Sequence, residues 1–256
     1  MVANTAVTDM EITGIPAIRK KQRKQKPKHM KKIMIVLLTL LVVMSTATRQ
    51  ASADEPLAGG WTPAADYTVT EDLQAIFDKG MEMLLGVDYV PLAYLGSQVV
   101  AGTNHVFLVK GTVVVPNAPV SYGLAYFYQD LQGNVTLMTL ADLPIVPQED
   151  GTLALTEEGL MGGWSYAEAP EVTEEIQARL DKALEGLVGA SYVPVANLGE
   201  QVVAGLNRCL LCQVTPVVPD AQPHYALVYV YEKLDGGAEL SQVIDLDIGA
   251  LCTYGA

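Results

Sequence analysis

Two stretches of the chain space their apolar residues as a helix does. Leu73, Ile76, Phe77, Gly80 and Leu84 follow Thr70, and Ile176, Leu180, Ala183, Leu184 and Leu187 follow Thr173. A threonine hydroxyl satisfies a free N–H at a helix start, and a glycine permits the stop. Thr70 to Gly86 and Thr173 to Gly189 therefore each predict one helix, apolar on one face. After each helix the period shortens. "YVPLAYL" from Tyr89, "SQVVAGTNHVFLVKG" from Ser97, "SYGLAYFYQ" from Ser121 and "VTLMTLADL" from Val135, with counterparts in the second half, are rich in Val, Tyr and Leu and predict strands. The polar, glycine-containing Asp130 to Asn134 and Lys233 to Gly237 predict hairpin turns. One helix followed by four antiparallel strands gives an α+β unit in which the sheet wraps the helix.

The same order occurs twice because the chain repeats itself. Gly60-Trp61 returns as Gly163-Trp164, Pro91 as Pro194, Gln98 as Gln201, and "AYFYQDLQGN" from Ala125 as "VYVYEKLDGG" from Val228, always 103 positions on. A constant offset of that size, too long for a solenoid repeat, predicts two tandem copies of one small-domain unit. "PIVPQEDGTLALTEEG", Pro144 to Gly159, carries Pro, Gly and acids between them and predicts a linker. The expected division is an N-terminal extension over 1–53, a first domain over 54–145, a linker over 146–159 and a second domain over 160–256.

Charge separates the first segment from the rest. Residues 1–53 hold ten Lys/Arg against two Asp/Glu, while the remainder holds six against 27. "RKKQRKQKPKHMKK" is followed by the 12-residue apolar run Ile33 to Met44, then by small polar residues. A membrane span needs roughly 20 such residues, so the run fits the core of a secretory signal. Cleavage is expected after Ala53, with Ser45-Thr46-Ala47 as a second small-x-small site, and Met30 is an alternative start. An uncleaved signal anchor is the other reading of the run. A secreted chain with this acidic remainder is not expected to bind nucleic acid or, after signal cleavage, an anionic membrane, since like charges repel.

The glycine pairs before the helices and the twice-used Gln-Val-Val-Ala-Gly carry a resemblance. The arrangement is similar to the cystatins, and "QVVAGTN" from Gln98 most resembles their intracellular stefin branch; the likeness covers about residues 57–143 and 160–246. It implies two tandem cystatin-like domains, each with one helix wrapped by an antiparallel sheet of four to five strands. It also implies a reversible inhibitor of papain-like cysteine proteases, needing no cofactor. In that family an N-terminal trunk and two hairpin loops form a wedge that plugs the protease cleft without being cleaved. Carried over, the trunk glycine is Gly59 or Gly60 in the first copy and Gly162 or Gly163 in the second. The first loop is Gln98, Val99, Val100, Ala101 and Gly102, and again Gln201, Val202, Val203, Ala204 and Gly205. The second loop falls at Asp130 to Asn134 and Lys233 to Gly237, where the family's Pro-Trp or Leu-Pro-Gly is absent.

The physics of the pentapeptide points the same way. Hairpin tips favour Asn, Asp and Gly, yet here two valines and an alanine sit where the chain should turn. Leaving a valine exposed forgoes about 1.5–3 kcal/mol relative to burying it, which makes sense where a partner covers it. In the alternative, the pentapeptide is a bulged strand interior with its valines packed on the helix. Other chemistry is thin. His105 and His224 have Arg208 and Ser121 at their equivalent positions, so a histidine-based catalytic or metal site is not expected, and no enzyme motif appears. Cys209 and Cys212 lie three apart on a strand and face opposite ways, where Val106 and Val109 stand in the first copy; they read as small core residues, with a disulfide from Cys252 left open. A non-inhibitory adhesion or scaffold module is the alternative function.

Overall fold

Strand β1 (Trp61–Pro63) leads into helix α1 (Glu71–Met81), which starts where Thr70 Oγ1 accepts the Leu73 N–H at 3.4 Å. The computed structural model describes residues 59–116, 118–156 and 162–252; the expected targeting segment and cleavage site lie outside them. After α1 come β2 (Val87–Val100), β3 (Gly102–Val113), β4 (Val120–Gln129) and β5 (Val135–Asp142), which with β1 form one antiparallel sheet in the order β1-β2-β3-β4-β5. The second copy repeats this as β8 (Ser165–Tyr166), α2 (Glu174–Ala183), β9 (Ala190–Val203), β10 (Gly205–Pro216), β11 (His224–Glu232) and β12 (Ala238–Leu246). Thr173 caps α2 through the Ile176 N–H at 3.3 Å. Both helices end earlier than Gly86 and Gly189. Met83 and Leu85 are about nine-tenths exposed, so no packing extends α1 through a further turn.

The expected α+β class is corrected by this structure. Among the described residues strands dominate, the two helices are only 11 and 10 residues long, and there are three sheets of five, five and two strands. Nor are there two self-contained helix-plus-sheet domains. The two large sheets pack face to face, and a single core runs between them, joining Leu95, Val106, Leu108 and Tyr126 of the first copy to Leu198, Cys209, Leu211 and Tyr229 of the second. The helices cover the outer faces. Phe77 of α1 meets Phe107 and Phe127 edge-on at 5.7 and 5.6 Å, and Ile176 and Leu180 of α2 pack on Leu210, Cys212 and Val228.

The sequence contains the reason. A strand covered on one face alternates apolar and polar residues, whereas one covered on both faces reads as a continuous apolar run. Val106 and Leu108 face the shared core while Phe107 and Val109 face α1. Cys209 and Leu211 likewise face the shared core while Leu210 and Cys212 face α2. All eight are at most 1% exposed. Cys209 and Cys212 are thus on opposite faces, unpaired, and burial pushes the Cys209 thiol up to about 12.

The copies meet by reciprocal contacts. Tyr122 donates to the Ala167 carbonyl at 2.7 Å, and Tyr225 to that of Ala64 at 3.4 Å. Tyr126 donates to Ile248 at 2.7 Å and Tyr229 to Ile145 at 3.0 Å. Lys110 donates to Glu168 and Gln213 to Ala65, at 2.6 and 3.3 Å. In each pair donor and acceptor are both shifted by 103 positions, so the copies are related by an internal pseudo-two-fold axis. The stretch expected as a linker takes part. Ile145 is fully buried in the shared core, and Val146–Pro147 pairs with Leu153–Ala154 as β6 and β7 of the small sheet.

Candidate binding edges

Gln-Val-Val-Ala-Gly lies at the tip of the β2–β3 hairpin. Val100 pairs with Gly102 across Ala101, and the second copy matches this with Val203, Gly205 and Ala204. Val99 and Val100 are 52% and 41% exposed, and Val202 and Val203 are 72% and 43%. The valines are not packed on the helix. The closing glycine is required by both backbone and space. Gly102 has φ +133°, and a Cβ there would come within 2.3 Å of the Gln129 carbonyl oxygen; Gly205, at φ +138°, has the same contact with Glu232 at 2.4 Å. Any side chain would push the tip off the neighbouring strand.

The trunk runs beside this tip. Trp61 is opposite Gln98 in the sheet, and the Gly59 N–H reaches the Val99 carbonyl at 3.3 Å. Gln98 does the fastening: its Nε2 donates to the Gly59 carbonyl at 2.7 Å while its Oε1 accepts from Asn104 Nδ2 at 2.7 Å. Gln201 repeats both bonds with Gly162 and Asn207, at 2.9 and 2.7 Å. The glutamines therefore hold trunk to hairpin and do not offer their amides outward. Of the other expected trunk glycines, Gly60 is exposed beside Gly59, and Gly163 follows Gly162 just before Trp164. Trp61 and Trp164 close the core beneath, each edge-on to a tyrosine at 5.5 Å, Tyr126 and Tyr229 respectively.

The β4–β5 turn completes the edge. Asp130 accepts the N–H groups of Gln132 and Asn134, both at 2.8 Å, and hydrogen bonds led by the Asn134 side chain hold its carboxyl below the usual range. From the end of β4, Tyr128 donates to the Ala101 carbonyl at 2.6 Å, and Tyr231 does the same for Ala204 at 2.6 Å. This ties the second turn to the tip. The turn lacks the Pro-Trp pattern, but it carries an exposed leucine: Leu131 is 78% and Leu234 is 87% exposed. Trunk, tip and second turn therefore share one edge of each sheet. Asn104 and Tyr128 have no role in the sequence reading, and Leu131 enters it only as part of the second loop, although each recurs 103 positions on and that recurrence marks them.

Beneath the tips the copies differ. Arg208, with only 11% of its side chain exposed, bridges Glu200 at 2.5 Å and Glu232 at 2.7 Å across three strands. The equivalent residues of the first copy are Ser97, His105 and Gln129. His105 is buried, its Nδ1 lies 3.0 Å from the Tyr94 hydroxyl, and its Nε2 has no partner; burial holds its pKa below the ordinary value. Removing Arg208 leaves the largely buried Glu232 carboxylate uncompensated. Arg208→Ala is expected to cost about 3 kcal/mol, read as a lower urea midpoint, whereas His105→Ala costs less because no charge is stranded. An unchanged midpoint for Arg208→Ala would show that the three charges do not brace the hairpin.

Among the described residues no group of three His, Cys, Asp or Glu side chains could hold a metal ion. Comparison of the sequence with protein-family models and with curated proteins returns no match.

Proposed function

We propose that the protein is a secreted, reversible inhibitor of papain-like cysteine proteases. It acts by inserting the edge formed by trunk, Gln-Val-Val-Ala-Gly tip and second turn into the protease cleft. One observation carries the reading: all three segments lie at one edge in both copies, and each edge exposes two valines and a leucine on hydrogen-bonded turns. The likeness of the pentapeptide to the cystatin first loop supports the same target, and the targeting segment supports secretion. Rigid presentation limits the ordering cost of binding, because the tip is fastened before it meets a partner. The tip presents main chain and apolar side chains to the cleft, and the closing glycine keeps it seated against its own neighbouring strand.

The test is steady-state inhibition of papain by the protein. Competitive inhibition, reversed on dilution, with a constant below about 1 μM (roughly −8 kcal/mol) and with the inhibitor uncleaved, is the expected result. A folded protein that leaves papain fully active at that concentration would sink inhibition and favour the scaffold alternative.

A further inference from the structure

We propose that each end of the molecule is one docking surface built from both copies, combining the edge of one with the rear turn of the other. The inference rests on the edge reading above and adds to it which residues of the opposite copy the partner touches. Away from its hairpin tip, each sheet carries a second set of exposed apolar residues. Leu85, Val114 and Val115 are 92%, 72% and 59% exposed, and their equivalents Val188, Val217 and Val218 are 89%, 72% and 61%. Each rear turn is pinned to the chain leaving the helix, Val114 N–H to the Gly86 carbonyl at 3.1 Å and Val217 N–H to that of Gly189 at 2.8 Å, so these residues form a fixed patch. Apolar residues exposed at a turn in both copies, with no core to serve, are the same anomaly that marks the tips.

The pseudo-two-fold packing places the rear of one copy at the tip end of the other. Gln213, three residues from the end of β10, donates to Ala64 just beyond β1 at 2.8 Å. Gly249, in the turn that follows β12, lies so close to Trp61 that a Cβ would come within 2.6 Å of the indole. Trp61 is opposite Gln98, which opens the tip of the first copy. A protease seated on that tip therefore faces the rear of the second copy. Size argues that it uses it: an inhibitor interface takes roughly 20–30 residues a side, and trunk, tip and second turn supply only about a dozen.

The composite surface predicts an effect that crosses between copies. In protein whose second edge is silenced by Val202→Asp and Val203→Asp, adding Val217→Asp and Val218→Asp is expected to weaken papain inhibition about tenfold. In protein whose first edge is silenced by Val99→Asp and Val100→Asp, the same pair is expected to change nothing, while Val114→Asp and Val115→Asp weaken inhibition. Serine in place of aspartate at the rear turns is expected to act in the same direction, which separates lost apolar contact from added charge. Unchanged inhibition in the cross-copy combination, or weakening confined to the copy that bears the rear substitution, overturns the composite surface while leaving the edges standing. If neither silenced background inhibits papain, the edge reading fails and the composite end falls with it.

Discussion

Replacing Val99, Val100, Val202 and Val203 together by aspartate is expected to abolish inhibition of papain, a loss of at least a thousandfold, while the circular dichroism spectrum and melting temperature stay near those of the parent. The two halves of that result have separate causes. A carboxylate pushed into a desolvated contact without a partner costs several kcal/mol, and each edge would bring two. At the tip of a free hairpin the same side chain stays in water. All four positions are at least 41% exposed, and such surface changes stay within about 0.5 kcal/mol. The closing glycines and the glutamine fastenings are untouched, so the tip keeps its shape. Retained inhibition in the fourfold variant would remove the edges from the mechanism, and a drop in melting temperature of about 10 °C would mean the valines serve the core after all.

The second large effect is on assembly. A first copy made alone, residues 54–145, is expected not to persist as a folded monomer. Its inner face presents Leu95, Val106, Leu108, Tyr122, Leu124, Tyr126 and Leu143, all fully buried in the whole chain. At about 1.5–3 kcal/mol for each large side chain, uncovering this face forfeits on the order of 10–20 kcal/mol as an upper bound, comparable to the total stability of a domain at about 5–15 kcal/mol. The contacts between copies are reciprocal, so the face is close to self-complementary and the isolated copy is expected to pair with itself. Sedimentation equilibrium at micromolar concentration reads this directly: a concentration-dependent dimer is expected, and a stable folded monomer would contradict the shared core. Assays of each copy in isolation therefore report on a different assembly from the native one, and silencing substitutions within the intact chain are the way to compare the edges.

The helix starts, the hairpin turns and the repeat were legible because each depends on local chemistry: a capping threonine, a polar turn with glycine, a constant offset. The tip was legible for the opposite reason, as valines stand where local chemistry asks for turn formers. What the sequence concealed was long-range. "HVFLV" from His105 and "RCLLC" from Arg208 announce burial on both faces, but nothing local says whether the second face meets a helix, another sheet or another chain. Ile145 sits at the border of a stretch whose Pro, Gly and acids look like a tether, and only its place in the shared core, with the Tyr229 hydroxyl bonded to its carbonyl, shows it to be core. The fastening role of Gln98 has no local signature either, because its partners, Gly59 and Asn104, come from the trunk ahead of β1 and from the far side of the hairpin.

Joining two mated halves in one chain also changes how they can vary. Halves tethered by a short segment meet at an effective concentration in the millimolar range, so dilution does not part them as it would two separate chains. Each half then no longer has to match an identical twin. A substitution in a self-paired subunit would appear on both sides of the axis at once, whereas here it appears on one. Glu200, Arg208 and Glu232 opposite Ser97, His105 and Gln129 show that freedom already in use beneath the tips, with an ionic brace under one edge and a buried histidine hydrogen-bonded to Tyr94 under the other. The two ends can thus be tuned to different partners while the Leu, Tyr and Cys contacts that mate them stay fixed.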